Sequence, residues 1–256
     1  MKRALCSLGL VGFSLGSASL AQARDVAVTT TAELNAAISA AQPGDVIILG
    51  NGTYASTGAS CSAVGTQAAP IVVRAATPLG AKIEFNALEG FKVSGAYWTF
   101  DGLDIQGVCP VDDDCEHAFH VFGAADHFTL INSRVRDFNA QLKVNIGTVN
   151  GNIVAPNAGF IGYNELSDTR PRNTGNPVTK LNIDGGDDWI VRGNYLHDGT
   201  KAGGNQTSYL AFMKSGGKRG VMERNLAICA KDDQTSATRI GLSLGGGGTG
   251  GQFCPP

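Results

Sequence analysis

One short phrase recurs down this chain at a nearly constant interval, and it limits the fold more than any other feature. The copies are Phe119-His-Val-Phe-Gly123 with His127-Phe-Thr-Leu-Ile-Asn132, then Gly159-Phe-Ile-Gly-Tyr-Asn164. Next come Leu181-Asn-Ile-Asp-Gly185 with Trp189-Ile-Val-Arg-Gly-Asn194, and Phe212-Met-Lys-Ser-Gly216 with Gly220-Val-Met-Glu-Arg-Asn225. The asparagines at 132, 164, 194 and 225 are spaced by 32, 30 and 31 residues. An earlier copy, Phe91-Lys-Val-Ser-Gly95 with Tyr97-Trp-Thr-Phe-Asp-Gly102, lacks the Asn but keeps the interval. Each copy reads as two short alternating strands separated by a Gly turn. A strand-rich period of this length indicates an all-β solenoid of stacked coils, in which like residues form ladders. A β-sandwich with regular turns has no reason to repeat one phrase in register. The Asn after the second strand is expected in a turn, bonding nearby backbone and tolerating left-handed geometry.

The first residues are not part of that solenoid. Lys2 and Arg3 precede an apolar run from Ala4 to Leu20, and Ala21-Gln-Ala23 is a small-x-small cleavage signal, so residues 1–23 read as a signal peptide. Residues 24–256 then form one exported domain, secreted or periplasmic. No later run is long and apolar enough for a membrane span. Removing Lys2 and Arg3 takes the formal charge from −2 to −4, without the basic excess of a nucleic-acid binder. Export permits disulfides. Cys109 and Cys115 bracket a short polar loop and are the expected pair, with Cys229 and Cys254 as a second. No CxxC spacing suggests zinc.

The N-terminal region reads as a cap. Thr30-Thr-Ala-Glu33 has the form of a capping box, and Leu34, Ala37, Ile38 and Ala41 share one helical face. Such an amphipathic helix, from about Thr31 to Ala41, would cover the apolar first coil. Pro43-Gly44 stops it, Asp45–Leu49 is a strand and Asn51-Gly52 a turn. At the other end, only a Gly-rich stretch and Gln252-Phe-Cys-Pro-Pro256 follow the last repeat. The last coil is therefore expected to be uncovered, in a fragment of a longer chain or one that relies on a partner there. Otherwise a monomer is expected.

Thr31-Ala-Glu-Leu-Asn-Ala-Ala-Ile38, Pro43-Gly-Asp-Val-Ile-Ile-Leu49 and Gly52-Thr-Tyr54 resemble the opening of right-handed parallel β-helix proteins. They are most similar to polysaccharide lyase family six, the alginate lyases and chondroitinase B. The resemblance implies a Lys base and an Arg acid on one face. It also implies, in many members, a calcium ion held by Asn and Glu that neutralises the uronate carboxylate. Lys214, in Phe212-Met-Lys-Ser-Gly216, matches the family's Lys, and Arg239, in Arg239-Ile-Gly-Leu-Ser243, is the matching acid. Two departures stand beside the match. Thr207, Ser208 and Tyr209 replace the family's glutamates, and no His-Gly follows Arg239.

Strand alternation selects a face without reference to any family. With the apolar residues inward, His120, Phe122, Lys143, Asn145, Asn182, Asp184, Lys214 and Ser243 point outward. We read Lys143 with Lys214 and Arg239 as catalytic candidates, and His120, Asn145, Asn182 and Asp184 as substrate-binding. A polar, basic column suits an extended acidic polysaccharide. His117 and His120 lie three apart and should face opposite sides of a regular strand, which argues against a two-His metal site. Asp112-Asp-Asp114 with Glu116 reads as a solvated turn or a calcium loop, and Gly185-Gly-Asp-Asp188 as a turn. The glycines from Gly245 to Gly251 lack the Lys-Ser/Thr of a phosphate loop. Three functions remain: a lyase acting on a uronate polymer, a non-catalytic glycan-binding or adhesin module, and a glycoside hydrolase. The last needs paired carboxylates, and only Asp184 is placed outward.

Overall fold

Each repeat folds into one coil of three strands rather than two. The computed structural model describes residues 24–245. Its strands stack into three sheets of eight, seven and seven strands, and pairing from coil to coil is parallel. The result is the expected parallel β-helix. The third strand of each coil is the one the repeat did not reveal. Arg134–Arg136, Glu165–Ser167 and Tyr195–His197 are three residues long, and their central residues Val135, Leu166 and Leu196 are buried. A strand with one central apolar residue has no visible period. In chain order the strands of a coil enter a first, a second and then a third sheet. A hairpin of Gly147–Val149 with Asn152–Val154 is the one antiparallel strand pair among the described sheets.

Inward residues form ladders along the stack. On the third sheet Val93, Val121, Val144 and Ile183 are in register, and Phe91 stacks on Phe119 with ring centroids 5.3 Å apart. Trp98 and Trp189 are buried beside the first sheet. Burying one such side chain stabilises by about 1.5–3 kcal/mol, so the cost of forming a coil is repaid only when its neighbours are present.

The asparagines form a ladder at the corner between the first and second sheets. Asn164 and Asn194 are buried, and each donates through Nδ2 to a carbonyl of the preceding coil, Leu130 and Ile161, at 2.9 Å. Each accepts at Oδ1 from the backbone N–H one coil back, Ser133 and Asn164. Two details differ from the sequence expectation. The left-handed residue precedes the ladder position: Tyr163, Gly193 and Arg224 have φ of 61°, 69° and 56°. Asn132 is aligned with these, at φ 52°, and Ser133 takes its place in the ladder, with Oγ accepting from Leu103 N–H. The repeat is thus one residue out of step at its first Asn.

Helix α1, Thr31–Ser39, closes the N-terminal end. Its box is complete: Thr30 Oγ1 accepts from Glu33 N–H, and the Glu33 carboxylate accepts from Thr30 N–H. Leu34 and Ile38 are its buried residues. Cys109 and Cys115 are joined. Residues 1–23, expected from the sequence to be a leader, Cys254 with its expected bridge to Cys229, and residues 246–256 lie outside the described residues. On the last described coil, Leu226, Leu242 and Leu244 are 57%, 44% and 78% exposed. No helix among the described residues is long and apolar enough to cross a membrane.

Candidate functional site

The third sheet carries the polar face, and a bend in its strands determines what that face presents. The pairing skips one residue in each strand: Ala118, Gln141, Lys180 and Leu210. In each strand this residue and the next are both buried, as at Ala118 with Phe119 and at Leu210 with Ala211. Two consecutive inward residues shift the alternation by one, as a bulge does. Outward columns therefore lie on both sides of the bend. Past it, Lys92, His120, Lys143, Asn182, Phe212 and Ser243 are level, and one step further so are Phe122, Asn145, Asp184 and, up to its own coil, Lys214. Before the bend, Glu89, His117 and Tyr209 belong to a single column.

Asp184 joins the two lysines. Its Oδ2 lies 3.1 Å from Lys143 Nζ and 3.5 Å from Lys214 Nζ, and Oδ1 accepts from the Ser215 hydroxyl. Burial pushes the Asp184 carboxyl up, but the Ser215 hydroxyl and the two ammonium groups outweigh it and hold it below the usual range. Burial pushes the Lys143 ammonium down more strongly than Asp184 pushes it up. Lys214 Nζ also sits 4.8 Å above the Phe212 ring, whose edge meets Tyr209. Lys143, Asn182, Lys201, Tyr209 and Lys214 line a cavity of about 390 Å³. Asn182 Oδ1 is buried there without a protein partner, an acceptor left for a ligand hydroxyl.

Arg239 is not in this cavity. It pairs with Ser208, six positions before Lys214 on the neighbouring strand, which is roughly 20 Å along the strands. Its guanidinium donates to Thr200 Oγ1 at 2.7 Å and to the Thr235 carbonyl, and Asp233 lies 3.7 Å away. These partners belong to the loops between the second and third sheets. Arg239 and Lys214 therefore cannot serve one reacting centre, because Arg239 lies before the bend and on the other phase of the strand. Ser243 is outward but bonds the Gly245 carbonyl. Calcium, which the resemblance implies, does not fit the cavity. Calcium takes six to eight oxygens, whereas this cavity is lined by three ammonium groups, and Asp184 is already paired with two of them.

His117 and His120 face the same side, contrary to expectation, because the bend at Ala118–Phe119 lies between them. Their ring centroids are 5.2 Å apart, over Glu89. The aspartates of the short loop are not a calcium site. Both oxygens of Asp112 are held by Arg170, with Arg172 at 3.0 Å from Oδ1, and Asp113 pairs with Thr174. Asp187 and Asp188 form the expected turn and bind Arg219. Lys180, in the skipped column, is fully buried against Asp168, with Gln141 donating to the same carboxylate. Burial drives Lys180 down and Asp168 up. Lys201 and Glu89 were not singled out from the sequence, and Tyr209 only as a departure from the family's glutamates. Glu89 was within reach, since Phe91-Lys-Val aligns with Phe119-His-Val. Lys201 lies in an irregular loop that no repeat marks.

The Chondroitinase B family model matches residues 28–152, a stretch that includes Lys143 and ends before Asp184 and Lys214. No curated protein matches the sequence. A PL6 family polysaccharide lyase from Pseudopedobacter saltans is 16% identical, with 80% of this chain and 52% of that one covered and a TM-score of 0.52. The Agl-KA catalytic domain is 12% identical, with 85% and 44% covered and a TM-score of 0.51. The chain thus spans about half the length of these two structures, and at such identities the likeness is one of fold. The chain shares the parallel β-helix fold of these structures, and its residues 28–152 are similar to Chondroitinase B.

Proposed function

We propose that this chain binds an acidic polysaccharide along its third sheet and cleaves a uronate polymer by β-elimination beside Asp184. The observation that carries the reading is the convergence of Lys143 and Lys214 on one carboxylate at the edge of a cavity lined by Tyr209 and Asn182. Lys214 holds the uronate carboxylate, which acidifies the neighbouring carbon. Lys143, whose ammonium is lowered by burial, takes the proton from that carbon. The electron pair forms the carbon–carbon double bond, the bond to the leaving oxygen breaks, and Tyr209 returns a proton to that oxygen. Asp184 keeps both lysines in place as a positioning residue. A leader-like segment at residues 1–23 and the Cys109–Cys115 disulfide support export to an oxidising compartment.

The displacement of Arg239 favours a second reading, glycan binding without cleavage. Incubation with alginate, polygalacturonate and dermatan sulfate, following the absorbance of the unsaturated product, separates the two. We expect product from at least one polymer, reduced by about 100-fold or more in Lys143→Ala. Retardation in polymer-containing gels with no product from any polymer would leave the binding reading. Neither product nor retardation would sink both.

A further inference from the structure

We propose that Glu89, His117 and His120 form a binding site for a divalent transition metal of the zinc class, facing the groove one coil before Lys143. This inference goes beyond β-elimination and does not depend on it. One donor atom from each residue lies within 4.8 Å of the others. Glu89 Oε1 is 2.6 Å from His120 Nδ1 and 3.5 Å from His117 Nδ1. Two donors bound to one tetrahedral zinc are about 3.4 Å apart. Side-chain rotation alone closes the difference, because the backbone already places all three on neighbouring strands of one sheet.

The hydrogen bonding points the same way. His120 Nε2 lies 3.1 Å from Asn145 Oδ1, an acceptor. When Nε2–H donates to Asn145, Nδ1 carries a lone pair. That lone pair then faces the Glu89 carboxylate oxygen, a repulsive contact unless a proton or a cation lies between them. His117 Nδ1 is buried with no hydrogen-bond partner, and it faces the same Glu89 oxygen. Its Nε2 lies 3.8 Å from Glu116 Oε1, on the side where metal-binding histidines keep a second acceptor. Two nitrogens and one oxygen suit a borderline metal, not calcium. Lys92 is the competing cation. Its Nζ is 3.2 Å from Glu89 Oε2, but the lysine is half exposed and leaves Oε1 to the histidines. Because His120 is level with Lys143, a coordination position left open there would face the groove and could take a sugar carboxylate.

Zinc titrated into the chelator-stripped, tag-free chain by calorimetry tests the proposal. One equivalent should bind, and cobalt in its place should give a visible band. His117→Gln and His120→Gln should each weaken zinc about 100-fold or more, while His127→Gln, outside the cluster, should not. Asn145→Leu should weaken it 10–100-fold through His120, and Lys92→Ala should strengthen it. The last two variants move in opposite directions, so they decide the matter even where a histidine variant misfolds. Binding below one equivalent, or binding unchanged in the His117→Gln/His120→Gln double variant, would overturn the site. Because the readout is binding, failure here leaves the eliminase reading standing, and failure of that reading leaves this one.

Discussion

Asn194→Ala is the sharpest test of how this solenoid holds together. The Asn194 side chain accepts from the N–H and the side-chain amide of Asn164, both at 3.0 Å, and donates to Ile161 O at 2.9 Å and Asn225 Oδ1 at 3.0 Å. Alanine leaves at least two buried backbone groups, Asn164 N–H and Ile161 C=O, without their partner. An unsatisfied buried group costs about 1–3 kcal/mol, so the loss should be roughly 2–5 kcal/mol. For a chain of this size each kcal/mol lowers Tm by about 2–4 °C, which gives a drop of about 4–20 °C. Hydrogen exchange adds a local readout: the Asn164 amide should lose protection before residues of the first coils do. Asn132→Gly is the control. Asn132 looks like the same repeat position, but it is exposed and in left-handed geometry, bonded only to Asp101 at the side chain. Glycine tolerates that geometry, so its cost should stay within about 0.5 kcal/mol. Equal costs for the two variants, or a near-neutral Asn194→Ala, would refute the ladder as the corner's stabilising element.

The remaining predictions concern the loop disulfide, acid and the groove. Replacing Cys109 and Cys115 together by Ser should cost on the order of 2 kcal/mol, read from the urea midpoint with and without reductant. Asp198 is pushed up by burial but held at about 2 by His197 and the N–H groups of Asp233, Asp232 and Lys231. Its folded value lies below its unfolded one, so its contribution is present above about pH 4 and lost as pH falls towards 2. Asp198→Asn should therefore flatten the pH dependence of stability in that window. If Lys143 is the base, activity rises with pH as its ammonium deprotonates. Asp184→Asn removes a group that raises Lys143, so the limb should move to lower pH; a shift upward would count against Lys143 as base.

Much of the fold was legible because ladders copy themselves. The interval between Asn164, Asn194 and Asn225 reports a coil, and the capping box at Thr30 reports where stacking begins. What stayed hidden was short or out of step. The strands around Val135, Leu166 and Leu196 contain no full period, so a coil of three strands reads as one of two. Asn132 occupies the turn residue before the ladder, and only the folded corner reveals Ser133 as the ladder member. Lys180 was invisible for another reason. A lysine in a strand reads as exposed, and only a partner fixed elsewhere, here Asp168 at the far side of a corner, makes its burial tolerable.

The bend in the third sheet explains which outward positions strict alternation finds and which it misses. Alternation counted from one end of a strand fails wherever two consecutive residues turn inward. Lys143, Asn145, Asn182, Asp184 and Lys214 all lie past the bend, so a count anchored on the apolar residues beside them held. His117 and Arg239 lie before it. His117 changes side relative to His120 and joins it, bringing together a pair that strict alternation separates. Arg239 lies opposite Ile240, which belongs to the outward column of Tyr209, and so turns away from the groove. One local irregularity thus separates Arg239 from Lys214 and brings His117 beside His120 over Glu89. The residue types around the bend accommodate it. Gly90 approaches the Ala118 carbonyl so closely that a Cβ would lie 2.6 Å from it, while Gln141 and Lys180 use the skipped position to reach the second-sheet corner at Asp168. A Gly90→Ala substitution should accordingly disturb the Glu89–His117 end of the face and leave the Asp184 end, past the bend, intact.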